Sequence, residues 1–367
     1  MGETPGVYIH IPFCASRCDY CDFYTVTRRG DLFEPYTEAV CRAVATAPLE
    51  AGREVGSVYF GGGTPALLGP KRLGKMLAAV AKRWVFAPDA EITLEANPVA
   101  VTGAALRGFR EAGFNRLSLG VQSGADGRLR DLGRIHTAGG AAETVRLARE
   151  AGFENLTLDL MLGLPGQGVE EGLFSAEFIL GLAPEHISCY LLQLEEGTRY
   201  AARYREEELD EESQRAVYLA VCDRLEAAGY RQYEISNFAK PGYESRHNLR
   251  YWTGAEYLGI GPSAAGYLGG ERYSFPRDLE GFVTAADPWS LPVDEGPGGG
   301  EEETVMLRLR LADGVDTACC PGIPGLLERG RRLAEQGLAV VEGSRVRLTR
   351  EGFLVSNGAI EYLLWEV

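Results

Sequence analysis

Short apolar runs recur along the first two-thirds of the chain, and each is followed by a longer stretch with apolar residues at helical spacing. The runs predict strands at Val7–Ile11, Ser57–Phe60, Glu91–Glu95, Arg116–Gly120, Leu156–Leu160 and His186–Leu191. The longer stretches predict helices near 33–47, 70–84, 102–112, 140–151, 169–182 and 211–228. A phrase repeats where three of these helices stop: Glu111-Ala112-Gly113-Phe114, Glu150-Ala151-Gly152-Phe153 and Ala227-Ala228-Gly229-Tyr230. Each glycine suits the left-handed position just past a helix, and each aromatic opens the next apolar run. The first two glycines lie 39 residues apart and the next pair 77 apart. A strand, a helix and their loops need about 30 residues or more, so the intervals read as one unit and two units. Asp210, followed by Glu211 and Glu212, reads as the N-cap of the last of these helices. Repeated strand-then-helix units mean parallel strands with right-handed crossovers. The expected fold is therefore α/β, a partial (β/α)6 barrel that curls without closing.

The pattern breaks at 287–303, where Pro288, Pro292, Pro297, Gly298-Gly299-Gly300 and Glu301-Glu302-Glu303 read as a linker. The tail beyond it reads as two helices, a hairpin turning at Glu342-Gly343-Ser344 and a last helix, a small α+β module of winged-helix type. The expected organisation is a barrel over 1–236, a connecting segment over 237–286, the linker over 287–303 and a C-terminal domain over 304–367. That last domain has eight basic and eight acidic residues, and its neutrality favours a packing or lid role over DNA binding.

Composition narrows the class. The chain has 367 residues, 45% of them hydrophobic and 24% charged, enough for a large core and a second, smaller one. A formal net charge of −15 argues against a general nucleic-acid or anionic-membrane surface. No apolar run approaches the ~18 residues of a membrane span. Met1–His10 has no charged stretch followed by an apolar one, so no secretion signal is read and a cytoplasmic protein is expected. Of the eight cysteines, three crowd into Cys14, Cys18 and Cys21, while Cys41, Cys189, Cys222, Cys319 and Cys320 are scattered. One tight group in such a chain reads as a metal site and the scattered five as small apolar residues.

The three crowded thiolates suit an iron–sulfur cluster, whose irons favour soft ligands. Their spacings of four and three let one loop wrap a [4Fe–4S] cubane and leave one iron without a protein ligand. The competing reading is structural zinc, which wants four ligands; His10 is the nearest candidate for the fourth. Gly61-Gly62-Gly63-Thr64-Pro65, after the second strand, lets backbone approach a ligand closely but lacks the ending of a phosphate loop; alone it reads equally well as a tight turn. Glu95, Gln122 and Asp159 place polar groups at the ends of three successive strands, where α/β barrels carry function.

Cys14-x3-Cys18-x2-Cys21, with Tyr20 before the last cysteine, resembles the radical S-adenosylmethionine (SAM) superfamily. Tyr8-x-His10-Ile11-Pro12-Phe13 resembles its HemN/HemW-like branch, which holds oxygen-independent coproporphyrinogen III dehydrogenases and heme chaperones. The resemblance runs from Val7 into the C-terminal tail. It implies a [4Fe–4S] cluster on Cys14, Cys18 and Cys21, with SAM on the open iron. It also implies SAM contacts at Tyr8, Tyr20, Gly62, Gly63, Thr64, Glu95, Gln122, Arg134 and Asp159, and further contacts near Gln193 and Ala265. Leu162-Gly163-Leu164-Pro165-Gly166 is similar to the family's next loop. The chemistry implied is reductive cleavage of SAM to methionine and a 5′-deoxyadenosyl radical.

Two departures separate this chain from the dehydrogenases. The position of their fourth cysteine is Phe23, and only six residues precede Val7. His247-Asn248-Leu249-Arg250-Tyr251-Trp252 is similar instead to the signature of the heme chaperones. That resemblance implies heme as a third cofactor, with His247 as an axial ligand and Arg246 or Arg250 on a propionate. Read without the resemblance, His247 with Tyr251 and Trp252 is a structural histidine among core aromatics; His136 and His186 read as structural too. The function implied is a carrier that binds cluster, SAM and heme and hands heme to an acceptor hemoprotein, for example a respiratory, membrane-associated one. The alternatives are porphyrinogen decarboxylation, or another radical SAM reaction on tetrapyrroles. The resemblance further implies an electron donor for the cluster and is compatible with a homodimer.

Overall fold

The computed structural model describes residues 4–205 and 208–365. Six parallel strands lie side by side in chain order: β1 (Gly6–Ile11), β2 (Glu54–Gly62), β3 (Val85–Ala96), β4 (Arg116–Gln122), β5 (Asn155–Leu162) and β6 (His186–Leu191). The helices after them are α1 (Phe33–Ala45), α2 (Gly69–Arg83), α3 (Gly103–Ala112), α4 (Ala138–Glu150), α5 (Val169–Gly181) and α6 (Glu211–Ala227). These are the six strand–helix units expected, with most ends shifted by three residues or fewer and β3 starting six residues earlier than expected, at Val85. Gly113, Gly152 and Gly229 all take positive φ, of 113°, 90° and 90°. The amide after each reaches back to close the helix: Phe114 to Phe109, Phe153 to Ala148 and Tyr230 to Leu225. The three aromatics are thereby turned into the core. Asp210 caps α6 by accepting from the Glu212 amide.

Alternation along the strands decides the two faces of the sheet. Val7, Ile9, Val58, Phe60, Leu94, Leu117, Leu119, Leu156 and Leu158 are fully buried and join the helices in the main core. The residues between them pair in register on the other, concave face: Tyr8 with Tyr59, Tyr59 with Thr93, Glu95 with Ser118, Asp159 with Ser188.

The barrel stays open. Beyond β6 the sheet turns antiparallel through Asn237–Ala239. At the opposite edge a seventh parallel strand, β7 (Tyr257–Ile260), lies outside β1, preceded by helix α7 (Arg246–Thr253). An antiparallel meander then follows: β8 (Ala265–Leu268), β9 (Glu271–Ser274) and β10 (Val293–Pro297). The segment 237–286 therefore extends the sheet on both sides. The stretch 287–303 differs from the linker expected of it, because it holds β10 and the first turn of helix α8 (Glu301–Arg308). Pro297 is tolerated there because β10 is the edge strand, and Glu301–Glu303 suit a helix start.

The tail has a core of its own, built around Val305, Leu309, Leu333, Val346 and Leu363. Its elements are α8, helix α9 (Leu326–Glu335), the hairpin β11 (Ala339–Glu342) and β12 (Arg345–Leu348), and helix α10 (Ser356–Leu364); Val315–Asp316 adds a third strand. The hairpin turns at Gly343-Ser344, as the sequence predicts. The module is fixed to the barrel by backbone bonds from Ile235 to Arg310 and from Ala312 to Tyr233. Arg350 adds ion pairs to Asp223 and Glu226 of α6. No helix among the described residues is long and apolar enough to cross a membrane.

Candidate functional site

The loop after β1 carries the three thiols. Phe13 is buried edge-on against Phe33 and Tyr36, which pins the start of the loop. Amides of Gly63 and Thr64 donate to Ile11 and Phe13, so the glycine turn after β2 lies directly against it. A side chain at Gly63 would sit 2.7 Å from the Phe13 carbonyl and 3.1 Å from the Cys14 sulfur; only glycine allows that approach. The far part of the loop is held by Asp19, whose amide donates to Leu132 and whose carboxylate takes Arg199 and Arg203.

Cys14, Cys18 and Cys21 all line one cavity of about 760 Å³. Burial pushes the Cys14 thiol up to about 11, with Cys21 and Cys18 adding to the rise. Burial raises the Cys21 thiol also. Arg134 opposes the rise at Cys14 from the cavity wall, and its Nη1 lies 3.2 Å from the Cys18 sulfur. The same guanidinium donates to Asn97 Oδ1 and the Gly120 carbonyl. Three convergent, partly desolvated thiols beside a guanidinium and a glycine cradle fit a thiolate-bound cluster. The four-ligand zinc alternative does not fit, because His10 is turned away, bonded to Tyr8 and the Tyr24 carbonyl on a buried ring.

Most of the predicted SAM contacts come together here. Tyr20, Gly62, Gly63, Glu95, Gln122, Arg134 and Asp159 line the cavity, as does Gln193. Thr64 stands just behind, its hydroxyl 3.6 Å from the Cys14 sulfur. Glu95 is fixed by Tyr59, which donates at 2.7 Å, and by the Gly62 amide at 3.0 Å. Burial raises the Glu95 carboxyl, against those two donors. Burial also pushes Asp159 up to about 7, and neighbouring Glu95 adds to the rise. Gln122 takes a left-handed φ of 70°, and its buried Oε1 has no partner among the described residues. A strained backbone that holds an unsatisfied acceptor at a cavity wall leaves that acceptor open to a donor from the cavity. Carboxylates and an amide acceptor suit the sulfonium, amine and hydroxyls of SAM.

Two predicted contacts lie elsewhere. Tyr8 sits one layer deeper on the concave face, its hydroxyl 3.0 Å from His10 Nδ1, and Ala265 is an exposed residue at the start of β8.

His247 departs furthest from expectation. It lies on α7, 1% exposed, under the floor of the barrel. Both ring nitrogens are engaged, Nδ1 with Ser57 Oγ at 2.8 Å and Nε2 with Tyr251 Oη at 2.9 Å. The ring stacks on Tyr59 at 5.1 Å, and burial, chiefly, pushes its pKa down to about 3. An axial ligand needs a free nitrogen facing open space, and in this fold His247 has neither. Arg250 is equally committed, to Ser57 and Thr4, and Arg246 pairs with Asp89. Glu91 caps the helix, accepting from the amides of Arg246 and His247. The signature helix therefore plugs the barrel floor, and through Tyr59 it backs the Glu95 carboxylate.

Three residues escaped the sequence reading. Asn97 bridges Thr64 and Arg134, Tyr59 orients Glu95, and Arg116 sits fully buried on the concave face bonded to Thr93 and Thr157. Only Asn97 had a visible signal, a polar residue before Pro98 at a strand end.

Residues 8–179 match the Radical SAM superfamily. The chain is 37% identical over 375 residues to the heme chaperone HemW of Mycobacterium tuberculosis (strain ATCC 25618 / H37Rv), covering 99% of this chain and 95% of the relative. The chain belongs to the HemW family. Another HemW, from Bacillus subtilis (strain 168), is 34% identical, with 99% of this chain and all of the relative covered. Among solved structures, the coproporphyrinogen III oxidase HemN of Escherichia coli superposes with a TM-score of 0.85 over all of this chain and 91% of that one, at 23% identity. That likeness is one of fold: this HemW-family chain shares the barrel and the tail.

Two expectations follow. Tyr59→Phe removes one of two donors to Glu95 and should weaken SAM binding roughly threefold to tenfold in equilibrium dialysis; unchanged affinity would detach Glu95 from the SAM subsite. Asp159 titrates near 7 when folded and 3.8 as the unperturbed reference. The native state then holds the extra proton between those values, and stability falls as pH rises through that window. Asp159→Asn should therefore gain on the parent between pH 5 and pH 8, as the difference in urea midpoints of the cluster-free chain; an equal difference at both pH values refutes the raised pKa.

Proposed function

We propose that this chain is a heme chaperone: it holds a [4Fe–4S] cluster on Cys14, Cys18 and Cys21, binds SAM beside it, and carries heme to an acceptor hemoprotein. The observation that carries the reading is the extent of the cavity. It runs from the thiols and the SAM contacts past Tyr190 and Leu192 to the C-terminal domain, where Phe353–Gly358 and Arg310 close it. Its 760 Å³ lies within the ~300–1,000 Å³ of small-molecule and cofactor sites and leaves room for cargo beyond SAM.

Cys14, Cys18 and Cys21 would hold the cluster, whose chemistry when bound and reduced would be one-electron transfer to SAM. The residues around it bind and orient: Arg134 stands by the sulfur of Cys18, and Glu95 and Asp159 offer carboxylates to a cation. Phe23, where the dehydrogenases have a fourth cysteine, lies 65% exposed at the cavity rim and presents an apolar face to a flat ligand. Support comes also from the HemW relatives, heme chaperones that this chain matches over nearly their whole length.

Anaerobic reconstitution with reductant, SAM and either heme or coproporphyrinogen tests the reading. Stable stoichiometric heme binding without porphyrinogen turnover is expected. Decarboxylated porphyrinogen formed with matching 5′-deoxyadenosine would make the chain an enzyme instead. His247→Ala should leave the heme Soret band in place while it weakens SAM binding; a band lost with SAM binding intact would restore His247 as a ligand.

A further inference from the structure

Three arginines line the cavity, and two are tied to the cluster loop: Arg134 to Cys18, and Arg17 to the Cys21 carbonyl at 3.0 Å. Arg310 is different. It follows α8 in the C-terminal domain, and its backbone is fixed at the junction, where its carbonyl accepts from Ile235. Buried Leu309 and Leu311 flank it. Its guanidinium lies over the Trp252 ring at 5.9 Å and donates to Asn357 Oδ1 at 2.8 Å. Among the described residues no carboxylate comes within ion-pair distance of it. Burial lowers its pKa; Glu234 is the carboxylate that acts on it from a distance.

Glu234 does not supply the missing partner. It is 1% exposed and already accepts from the Ser236 amide at 3.1 Å and from the side chains of Asn237 and Trp252. Burial pushes it up to about 7, so much of it is neutral at neutral pH. A half-buried guanidinium with five donors, one of them used on a neutral amide, is poised for a planar anion, and carboxylate is the group whose geometry it matches. The cavity also sets the direction. On the barrel side the guanidiniums are already committed, Arg134 to Cys18, Asn97 and the Gly120 carbonyl and Arg17 to the Cys21 carbonyl, and Asp22 and Glu195 stand beside them, so that side offers an anionic edge less than Arg310 does. A cargo with carboxylates at one edge is therefore oriented with that edge toward the C-terminal domain.

We propose that Arg310, seated on Trp252, is the carboxylate anchor of the cavity and takes a propionate of the tetrapyrrole cargo. The proposal rests on the heme-carrier reading. It also explains the last residue of the His247–Trp252 segment, since Trp252 shelves the guanidinium and bonds the carboxylate behind it.

A titration of the cluster-loaded chain with hemin and with hemin dimethyl ester, for the parent, Arg310→Gln and Arg310→Lys, tests the anchor. The parent should prefer the diacid roughly tenfold or more, the worth of one charge-assisted contact. Arg310→Gln should lose that preference by weaker binding of the diacid alone, and Arg310→Lys should keep part of it. Parent-like preference in Arg310→Gln overturns the proposal, and so does an equal loss for both ligands, which would make Arg310 structural. A parent that binds neither ligand removes the heme-carrier reading itself, an outcome separable from both.

Discussion

Buried charge on the concave face of an open barrel is the constraint that the rest of this fold answers to. In most α/β barrels that face is filled with branched apolar side chains. Here it carries Arg116, 1% exposed, with hydroxyls of Thr93 and Thr157 as its acceptors and no carboxylate in contact among the described residues. Taking a guanidinium out of water costs several kcal/mol unless other charges respond to it. They do respond. Arg116 helps to keep His186 and His247 neutral, and it pulls the carboxyls of Glu95 and Asp159 downward against their burial. The outcome is a fixed polarity along the barrel, with the cation deep and the carboxylates at the mouth beside the thiols. A cationic ligand at the mouth completes that arrangement; at the far wall an anionic edge meets Arg310, a guanidinium not tied to the thiol loop.

The architecture was legible because strand and helix periods alternate cleanly and because three helices stop on the same glycine–aromatic phrase. The mouth was legible because Glu95, Gln122 and Asp159 each interrupt an apolar run at a strand end. The deeper polar layer was hidden for a physical reason. Ser57, Tyr59 and Thr93 are ordinary strand residues, and nothing in their spacing says that they face a shared lumen. Arg116 opens a strand, where an arginine normally reaches solvent. The stretch 287–303 misled because proline and glycine mark linkers and edge strands alike; only the pairing of β10 with β9 decides between them.

His247 shows a different limit. Its spacing to Tyr251 puts both on one helix face, and the structure confirms that contact. Spacing does not say what that face meets. A histidine ringed by aromatics reads equally as an iron ligand or as a buried plug, and the decision lies in residues of a strand far back in the chain: Ser57 takes the ring nitrogen and Tyr59 takes the ring face. The resemblance assigned the segment a contact that this geometry does not provide.

The same segment joins two regions that are otherwise far apart in the chain. His247 and Trp252 are five residues apart, about 140° around a helix at 100° per residue, so they look in different directions. His247 looks to the barrel floor and, through Tyr59, toward Glu95. Trp252 looks to the junction, where it meets Glu234 and Arg310. One short helix, capped by Glu91 and stopped at Gly254 with φ 70°, thus sets both the carboxylate at the thiol end of the cavity and the guanidinium on its opposite wall. A segment placed in this way is constrained at both faces without itself lining the cavity. That constraint accounts for a long signature around His247 as fully as direct ligation does, and it ties the two ends of the cavity to a single rigid element.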